Sequence, residues 1–359
     1  MEFSVDMLGV ITCCRRRKIM KTSFGNVSSV EHLEKQVVTV IIPVWNSGKW
    51  LPGCLAALEK QIYIDFTIIL VDNGSNDGSV EQVAKQTHAN LKVISFPQNL
   101  GFAAAVNAGI AETGTPYVAL LNVDTIPADD WLEKLVKAMD NAPVTTTSLA
   151  SKMLMMDEES LVDSAGDIFN WYGAAYKRGH MERAEKFNKS EYVFSACAGA
   201  ALYRRSLFDE IGLFDERFTS YFEDIDFGFR EKLMGYSTLF VPEAKVLHLG
   251  HSAGVRGGYY VYLMTRNRLL TIVKNYPFRA LMKYFPKILY GQFYFFAIYK
   301  KPFSSLKGYL SCLFFLSQAL KDRRRIQKNV KVSMKVLGSL VDSVSKEPGL
   351  IRMVFSKLK

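Results

Sequence analysis

Short apolar runs alternate with amphipathic stretches over the first part of the chain. The runs are rich in β-branched residues, which is typical of strands buried on both faces of a parallel sheet. We predict strands at 37–43, 66–71, 91–96 and 117–121, and helices at 50–61, 80–86 and 102–113. Such alternation with short connections predicts an α/β fold with a mostly parallel sheet flanked by helices.

Loops rich in Gly, Asn and Ser follow the first three predicted strands. Their sequences are VWNSG, DNGSNDGS and PQNLGFAAAVNAG. They lie at the carboxyl ends of the strands, where open α/β sheets bind ligands. Asp72, at the end of its strand, can accept hydrogen bonds from a nucleobase edge or a ribose. Ordinary turn chemistry explains each loop singly, but their coincidence at one edge favours a binding site.

The fourth strand runs directly into Asn122, Val123 and Asp124. A carboxylate at a strand end can hold a divalent cation that faces a phosphate, because Mg²⁺ and Mn²⁺ prefer oxygen ligands. The alternative is a simple turn before a helix that begins near Ala128. Asp124 is therefore the first candidate metal ligand.

Periodicity is weaker from residue 144 to residue 204, where we predict short strands near 147–153 and 193–203. Gly199 lies between two alanines, which indicates a wall of small side chains beside something bulky. A further strand is predicted at 236–241.

Three acidic residues, Glu223, Asp224 and Asp226, open a predicted helix. Acids in a first helical turn are stabilised by the helix dipole, so capping is one interpretation. The cluster is surrounded by aromatic and aliphatic residues, and a partly desolvated carboxylate is also a usable general base.

Two histidines, His248 and His251, follow in the segment VLHLGHSAG. Either could complete a metal site with Asp124, because imidazole is the usual nitrogen ligand. A hydrogen-bonded structural histidine is the alternative.

The net charge of +10 is unevenly distributed along the 359 residues. Residues 261–359 carry 20 Lys and Arg against 3 acidic residues, a net charge of +17, whereas residues 1–260 carry 25 against 32, a net charge of −7. The basic residues alternate with long aromatic and aliphatic runs, which suits an anionic membrane surface better than a nucleic acid.

Two apolar segments, 288–299 and 309–320, are bounded by Lys or Arg and are shorter than the roughly 18 to 20 residues of a spanning helix. We expect helices in the headgroup layer. A helical lid or a dimer surface remains the alternative, which leaves a homo-oligomer open.

Five cysteines, Cys13, Cys14, Cys54, Cys197 and Cys312, show no framework of paired spacings, which indicates a reducing compartment. Residues 1–36 are predicted to be a poorly ordered leader without a signal peptide. We therefore expect a cytoplasmic protein that is peripheral on the cytoplasmic face of the membrane.

Seven motifs occur in an order that resembles family 2 glycosyltransferases, particularly the rhamnosyltransferase-like branch. They are VIIPVWN, LVDNGSNDGS, NLGFAAAVNAG, LLNVDT, AGAALYRRSLFDEIGLFDERF, FEDIDFGFR and VLHLGHS. The resemblance covers roughly residues 37–276 and implies a GT-A, Rossmann-like catalytic domain there. Residues 277–359 would form a basic, aromatic-rich, helical and membrane-associating region.

The resemblance also implies roles for individual residues. Asp224 would be the catalytic base, and Asp124 with His248 would hold a divalent cation, Mg or Mn. The nucleotide-binding set would be Pro43, Trp45, Asn46, Asp72, Asn73, Asn99, Asn122 and Asp124. The family's Asp-x-Asp metal motif stands here as Asn122-Val123-Asp124, so an amide replaces one carboxylate but still offers an oxygen.

The combined prediction is an inverting transferase that moves a sugar, with rhamnose favoured by the resemblance, from a nucleoside diphosphate sugar to a lipid-linked or polysaccharide hydroxyl. A cation on Asp124 would stabilise the leaving diphosphate, and Asp224 would deprotonate the acceptor. The alternatives are a non-catalytic nucleotide-sugar-binding protein on the same fold and a nucleotidyltransferase. Retention of the acidic cluster favours the enzyme.

Overall fold

A ten-stranded sheet forms the centre of the computed structural model, which describes residues 37–84, 90–250 and 257–344. The predicted leader at 1–36 and His251 lie outside the described residues. The strands are β1 (Val38–Val44), β2 (Phe66–Asp72), β3 (Leu91–Ser95), β4 (Tyr117–Leu121), β5 (Thr125–Pro127), β6 (Thr146–Met155), β7 (Val162–Ser164), β8 (Asp167–Phe169), β9 (Ala175–Lys177), β10 (Glu191–Val193), β11 (Ala200–Arg204) and β12 (Ser237–His248).

Helices flank this sheet and continue past its last strand. They are α1 (Leu51–Glu59), α2 (Ser79–Ala84), α3 (Phe102–Ala111), α4 (Trp131–Asn141), α5 (Arg205–Ile211), α6 (Glu223–Leu233), α7 (Gly257–Asn275), α8 (Phe278–Tyr299), α9 (Pro302–Phe314), α10 (Leu316–Lys328) and α11 (Met334–Val344). The predicted α/β class with a mostly parallel central sheet is confirmed.

The main path of the sheet has the order β10-β12-β6-β11-β4-β1-β2-β3. Strands β4, β1, β2 and β3 are parallel, so their carboxyl ends lie at one edge as predicted. Strand β11 is antiparallel to both β4 and β6, whereas β12 is parallel to β6. A separate pair, β8 and β9, forms a short antiparallel hairpin.

Burial of both faces explains the unbroken apolar runs. Alternate residues of β1 enter different core clusters: Val40 and Ile42 pack with α1 and α4, whereas Ile41 packs with α3. The only polar side chain of β1 is the buried Thr39, and the candidate site residues lie at the strand ends and in the loops.

Three predicted elements differ from the structure. The expected strand at 193–203 is divided into β10 and β11, because β10 pairs with β12 while β11 pairs with β4 and β6. The strand predicted at 236–241 continues to His248 through a register shift between Val241 and Lys245, the stretch that contains Pro242. Helix α4 begins at Trp131 rather than near Ala128, because residues 125–127 pair with β12 as β5.

Helices α6 to α11 share one apolar cluster with the β8–β9 hairpin region. Tyr276, Ala280 and Leu337 are almost fully buried in it, and Tyr284 stacks on Trp171 with 4.3 Å between ring centroids. The predicted apolar segment 288–299 is the second half of α8, whereas 309–320 is divided between α9 and α10. Among the described helices, none is long and apolar enough to cross a bilayer.

Candidate active site

The loops after β1 and β2 are tied together by Asn46. This residue adopts a positive φ of 48°, its backbone N–H donates to Ser75 Oγ at 3.0 Å, and its side-chain oxygen accepts from the Asn76 N–H at 2.8 Å. Pro43 lies half-buried near the end of β1, and Trp45 is 39% exposed beside it. The first two loops therefore form one rim with an exposed aromatic ring.

The next loop pair is held by side-chain amides. Asn73 Oδ1 accepts from the Leu100 N–H at 2.8 Å, and Asn73 Nδ2 donates to Asn99 Oδ1 at 3.1 Å. Asp72 Oδ1 accepts from the Ser75 N–H at 2.9 Å, directly at the end of β2. The amides of Asn73 and Asn99 thus fix loop shape, while Asp72 keeps a carboxylate at the sheet edge.

Asn122 and Asp124 lie where β4 ends. The Asn122 N–H donates to the Gly199 carbonyl at 2.8 Å, which extends the pairing of β4 with β11. A Cβ atom at Gly199 would lie 3.1 Å from Asn122 Nδ2. The absence of a side chain at Gly199, in the predicted wall of small residues, therefore leaves room for this amide. Asp124 itself is only 3% exposed.

His248 connects Asp124 to a second carboxylate. Its Nε2 lies 3.5 Å from Asp124 Oδ1, and its Nδ1 lies 2.7 Å from Asp163 Oδ2. The extension of β12 to His248, paired with Thr125 of β5, brings the ring to this position. Of the two predicted histidines, His248 is therefore in contact with Asp124.

Asp163 also accepts two hydrogen bonds of 2.8 Å from Lys177 Nζ. Burial acts to raise the pKa of Asp163, but the hydrogen bond from His248 and the charge of Lys177 hold that pKa well below its usual range. Burial acts to lower the pKa of His248, yet hydrogen bonds to Asp124 and Asp163 leave it raised. Lys177, Asp163 and His248 therefore form one hydrogen-bonded chain.

A second group of titratable side chains contains Asp224, Asp167 and Cys197. One potential ligand atom from each lies within 4.8 Å of the others. Burial raises the pKa of Asp224, although backbone N–H groups of Ile225 and Ala198 oppose the shift. Burial and the nearby charge of Asp224 raise the pKa of Asp167 well above its usual range. A carboxylate in this position is a stronger proton acceptor than one in water.

The other two acids of the predicted cluster have different surroundings. Asp226 is fully buried and pairs with Arg230 Nε at 3.1 Å and Lys274 Nζ at 2.8 Å, so it holds α6 against α7. Glu223 is 7% exposed, and its buried Oε2 has no hydrogen-bond partner in the described part of the chain. Burial, followed by the charge of Asp224, raises the pKa of Glu223.

A strained loop delivers Asp224 to this position. Thr219, Tyr221 and Phe222 have φ angles of 64°, 67° and 69°, which cost on the order of 1–3 kcal/mol each in residues with a side chain. The buried amide of Asn267 contacts three carbonyl oxygens of this loop, those of Phe218, Ser220 and Tyr221, at 2.8 to 2.9 Å. Helix α7 therefore fixes the start of α6.

Sequence reasoning missed Asp163, Asp167, Lys177, Cys197 and Asn267. Asp163 and Asp167 flank Gly166, whose φ is 91°, and this Asp-x-x-Gly-Asp turn was the available signal. The segment has weak periodicity because its strands have only three residues each. No local sequence pattern could show that this segment packs against His248 and Asp224.

The residues at the end of β4 fit a divalent cation. Asp124 Oδ1 and His248 Nε2 are close enough to ligate one ion, and the bond from His248 Nδ1 to Asp163 orients the ring, as carboxylates commonly do for metal-bound histidines. The Asp167, Cys197 and Asp224 group fits Mg²⁺ or Mn²⁺ less well, because burial raises the pKa of Cys197 and a neutral thiol is a poor ligand for such ions.

Comparison with known proteins gives a consistent pattern. The family model described as glycosyl transferase family 2 matches residues 39–212. The chain is 31% identical over 240 residues to the N-acetylglucosaminyl-diphospho-decaprenol L-rhamnosyltransferase of Mycobacterium tuberculosis, a match that covers 61% of this chain and 78% of that protein. It is 35% identical over 112 residues to glycosyltransferase AglE of Haloferax volcanii, covering 30% and 36% of the two chains.

Two solved structures have the same fold. GalNAc-T7, solved with UDP, GalNAc and Mn²⁺, matches with a TM-score of 0.65 at 16% identity, over 88% of this chain and 58% of that chain. Residues 1–349 of TarS from S. aureus, solved with UDP, match with a TM-score of 0.54 at 18% identity, over 90% and 92%. The predicted GT-A fold is confirmed.

Replacing Asp163 with Asn should lower the pKa of His248, because an amide stabilises the imidazolium less than a carboxylate does. The measurement is an NMR titration of the imidazole signals, with the exposed Asp157→Asn as the control. A His248 titration unchanged by Asp163→Asn would contradict the assigned contact.

The same substitution should reduce the free energy of unfolding by about 1–3 kcal/mol. The depressed pKa of Asp163 contributes stability above its unfolded value of about 4, and the raised pKa of His248 contributes fully below about 6.5 and is lost as pH rises. Denaturant unfolding should therefore show the largest loss between about pH 4 and pH 6.5 and a smaller one, due to Lys177, at higher pH.

Proposed function

Because the chain belongs to the family 2 glycosyltransferases and is thus a transferase enzyme, we propose that it is an inverting transferase that moves a sugar from a nucleoside diphosphate sugar to an acceptor hydroxyl. The observation that carries the proposal is the position of Asp224. Its carboxylate has a raised pKa and occupies the start of α6, within electrostatic reach of the same Lys177 that contacts Asp163.

The donor lies across the loops after β1, β2 and β4. Asp72 accepts from the nucleobase or ribose, while Pro43, Trp45 and Asn46 form the rim beside it. Asn73 and Asn99 support this site by holding its loops together through the 3.1 Å bond between their amides. Asn122 and Asp124 face the diphosphate.

Asp124 and His248 would hold the divalent cation, Mg or Mn, with Asn122 beside them. When bound, such an ion stabilises the negative charge that develops on the leaving diphosphate. Asp163 keeps the His248 ring in place from the opposite side at 2.7 Å. The chain contributes the ligands and the orientation of the His248 ring.

Asp224 removes the proton from the acceptor hydroxyl as the oxygen attacks the anomeric carbon. The raised pKa suits this step, because a base whose pKa is nearer the operating pH accepts a proton more effectively. A single base opposite the leaving group leads to inversion at the anomeric carbon.

Rhamnose is the favoured sugar, and a lipid-linked or polysaccharide hydroxyl is the favoured acceptor. Support comes from the name of the mycobacterial relative, which is a rhamnosyltransferase for a diphospho-decaprenol-linked sugar. The match to this relative covers 61% of this chain and 78% of that protein.

A screen of nucleoside diphosphate sugars should identify one donor that binds and that releases nucleoside diphosphate. Asp72→Ala should weaken binding of that donor in calorimetry. Asp72→Asn should still accept the hydrogen bond from the Ser75 N–H, so the loop keeps its shape while the carboxylate is removed. This variant therefore distinguishes a change of loop shape from a loss of donor recognition. Unchanged affinity in both variants would show that the donor lies elsewhere.

Substitutions of Asp124 and Asp224 should impair donor binding and turnover differently. Asp124→Ala should lower metal-dependent donor binding together with turnover. Asp224→Asn should leave donor affinity nearly intact and reduce turnover by roughly 10²- to 10⁴-fold, the usual loss for a general base. The measurements are calorimetric donor affinity and the initial rate of nucleoside diphosphate release.

Asp226→Asn is the control for a structural acid, because it removes the charge that pairs with Arg230 and Lys274. It should lower the melting temperature, with activity lost only in proportion to unfolding. Glu223→Gln tests the third acid in the same way. If all three α6 variants lose stability and activity in parallel, with no special defect at Asp224, the assignment of the base is wrong.

A further inference from the structure

Helix α8 carries a continuous apolar stripe that faces away from the protein. Residues spaced three or four apart along it are 41% to 70% exposed: Phe278, Met282, Phe285, Leu289, Phe293 and Phe296. The opposite side of the same helix is buried, through Ala280, Tyr284 and Gly291. A side chain at Gly291 would approach the Tyr172 carbonyl oxygen to 2.3 Å, so this side lies directly against backbone.

Helix α9 repeats the arrangement. Its exposed residues, 52% to 82% accessible, are Phe303, Leu306, Leu310, Leu313 and Phe314. Ser305, Gly308 and Cys312 form the opposite, buried side that packs on α7. Two consecutive helices that contact each other therefore each use one side for the core and leave the other side apolar and uncovered.

The charges next to these stripes are all of one sign. Arg279, Lys283, Lys287, Lys300, Lys301 and Lys307 are exposed, and no acidic residue occurs between Phe278 and Phe314. Long basic side chains can extend from an apolar stripe and place their charges at the level of lipid headgroups. Exposed aromatic residues are typical of the same interfacial layer.

A second copy of the chain fits this surface poorly. A two-fold interface places the same patch of both subunits together, so it would bring cations opposite cations with no acidic residue of this stretch to compensate. Membrane spanning is also disfavoured by the helices themselves, which are too short or too interrupted by charge to cross a bilayer. An anionic surface satisfies both the apolar stripes and the net positive charge of this stretch.

We propose that the exposed sides of α8 and α9 dock this protein on an anionic lipid bilayer, with the apolar stripes in the headgroup and acyl boundary and the Lys and Arg side chains on lipid phosphates. The docking leaves the buried sides of both helices in the protein core. This contact holds the catalytic domain at a membrane surface, where a lipid-linked acceptor would be concentrated.

The test uses the full chain and vesicles of two compositions, phosphatidylglycerol mixed with phosphatidylcholine, and phosphatidylcholine alone. Co-sedimentation should occur with the anionic vesicles and should decrease as salt is raised. Two double variants, Phe285→Ser with Phe293→Ser on α8 and Phe303→Ser with Leu310→Ser on α9, should each lower the partition coefficient by at least about tenfold, because each removes two apolar side chains from the bilayer.

A matched control replaces Ile64 and Val144 with Ser. These side chains are 77% and 80% exposed but lie outside α8 and α9, so vesicle binding should not change. Lys300→Gln with Lys301→Gln should weaken binding to anionic vesicles and reduce its salt dependence, whereas Lys60→Gln with Lys189→Gln should not. Melting temperatures verify that each variant is folded, since all these side chains are exposed.

The proposal is overturned if the folded α8 and α9 variants bind anionic vesicles as tightly as the wild type. It is also overturned if the wild type does not bind vesicles and sediments in analytical ultracentrifugation as a dimer that these variants convert to monomers, because the stripes would then be covered by a second copy. Equal binding to neutral and anionic vesicles would contradict the role assigned to the basic residues.

Discussion

The contact of His248 with two carboxylates is the interaction on which the rest of the site depends. Its Nε2 faces Asp124 at 3.5 Å and its Nδ1 faces Asp163 at 2.7 Å, while Lys177 binds Asp163 from the other side. This chain of contacts joins the end of β4, the end of β12 and the β7 to β9 region. A buried carboxylate is unfavourable unless it is paired, and this chain pairs Asp163 with both His248 and Lys177.

Asp224 is held by a different kind of constraint, namely backbone strain. The positive φ angles before α6 persist because Asn267 binds three carbonyl oxygens of the loop. Gly101, which would collide with Thr219 if it carried a side chain, also lets the loop after β3 approach. The start of α6 and the loop after β3 are thereby built against one another. The strained loop therefore holds the Asp224 carboxylate in a partly desolvated position, and this burial raises its pKa.

The sequence predicted the parallel half of the sheet well, because buried strands such as β1 and β4 are marked by unbroken apolar runs. It also placed Asp72 and Asp124 at strand ends, and the fold follows from the same alternation. It did not predict Asp163, Asp167 or Asn267, because their roles arise from contacts between segments distant in sequence. The pattern predicts only the first part of the strand that ends at His248, up to Val241, because Pro242 and a register shift interrupt it.

The central claim is that one base opposite a diphosphate leaving group performs a single displacement. The most direct measurement follows the anomeric proton and carbon signals of the first-formed product by NMR during turnover of the identified donor. We expect a product whose anomeric configuration is opposite to that of the donor. A product that retains the donor configuration would contradict the assigned arrangement of Asp124 and Asp224.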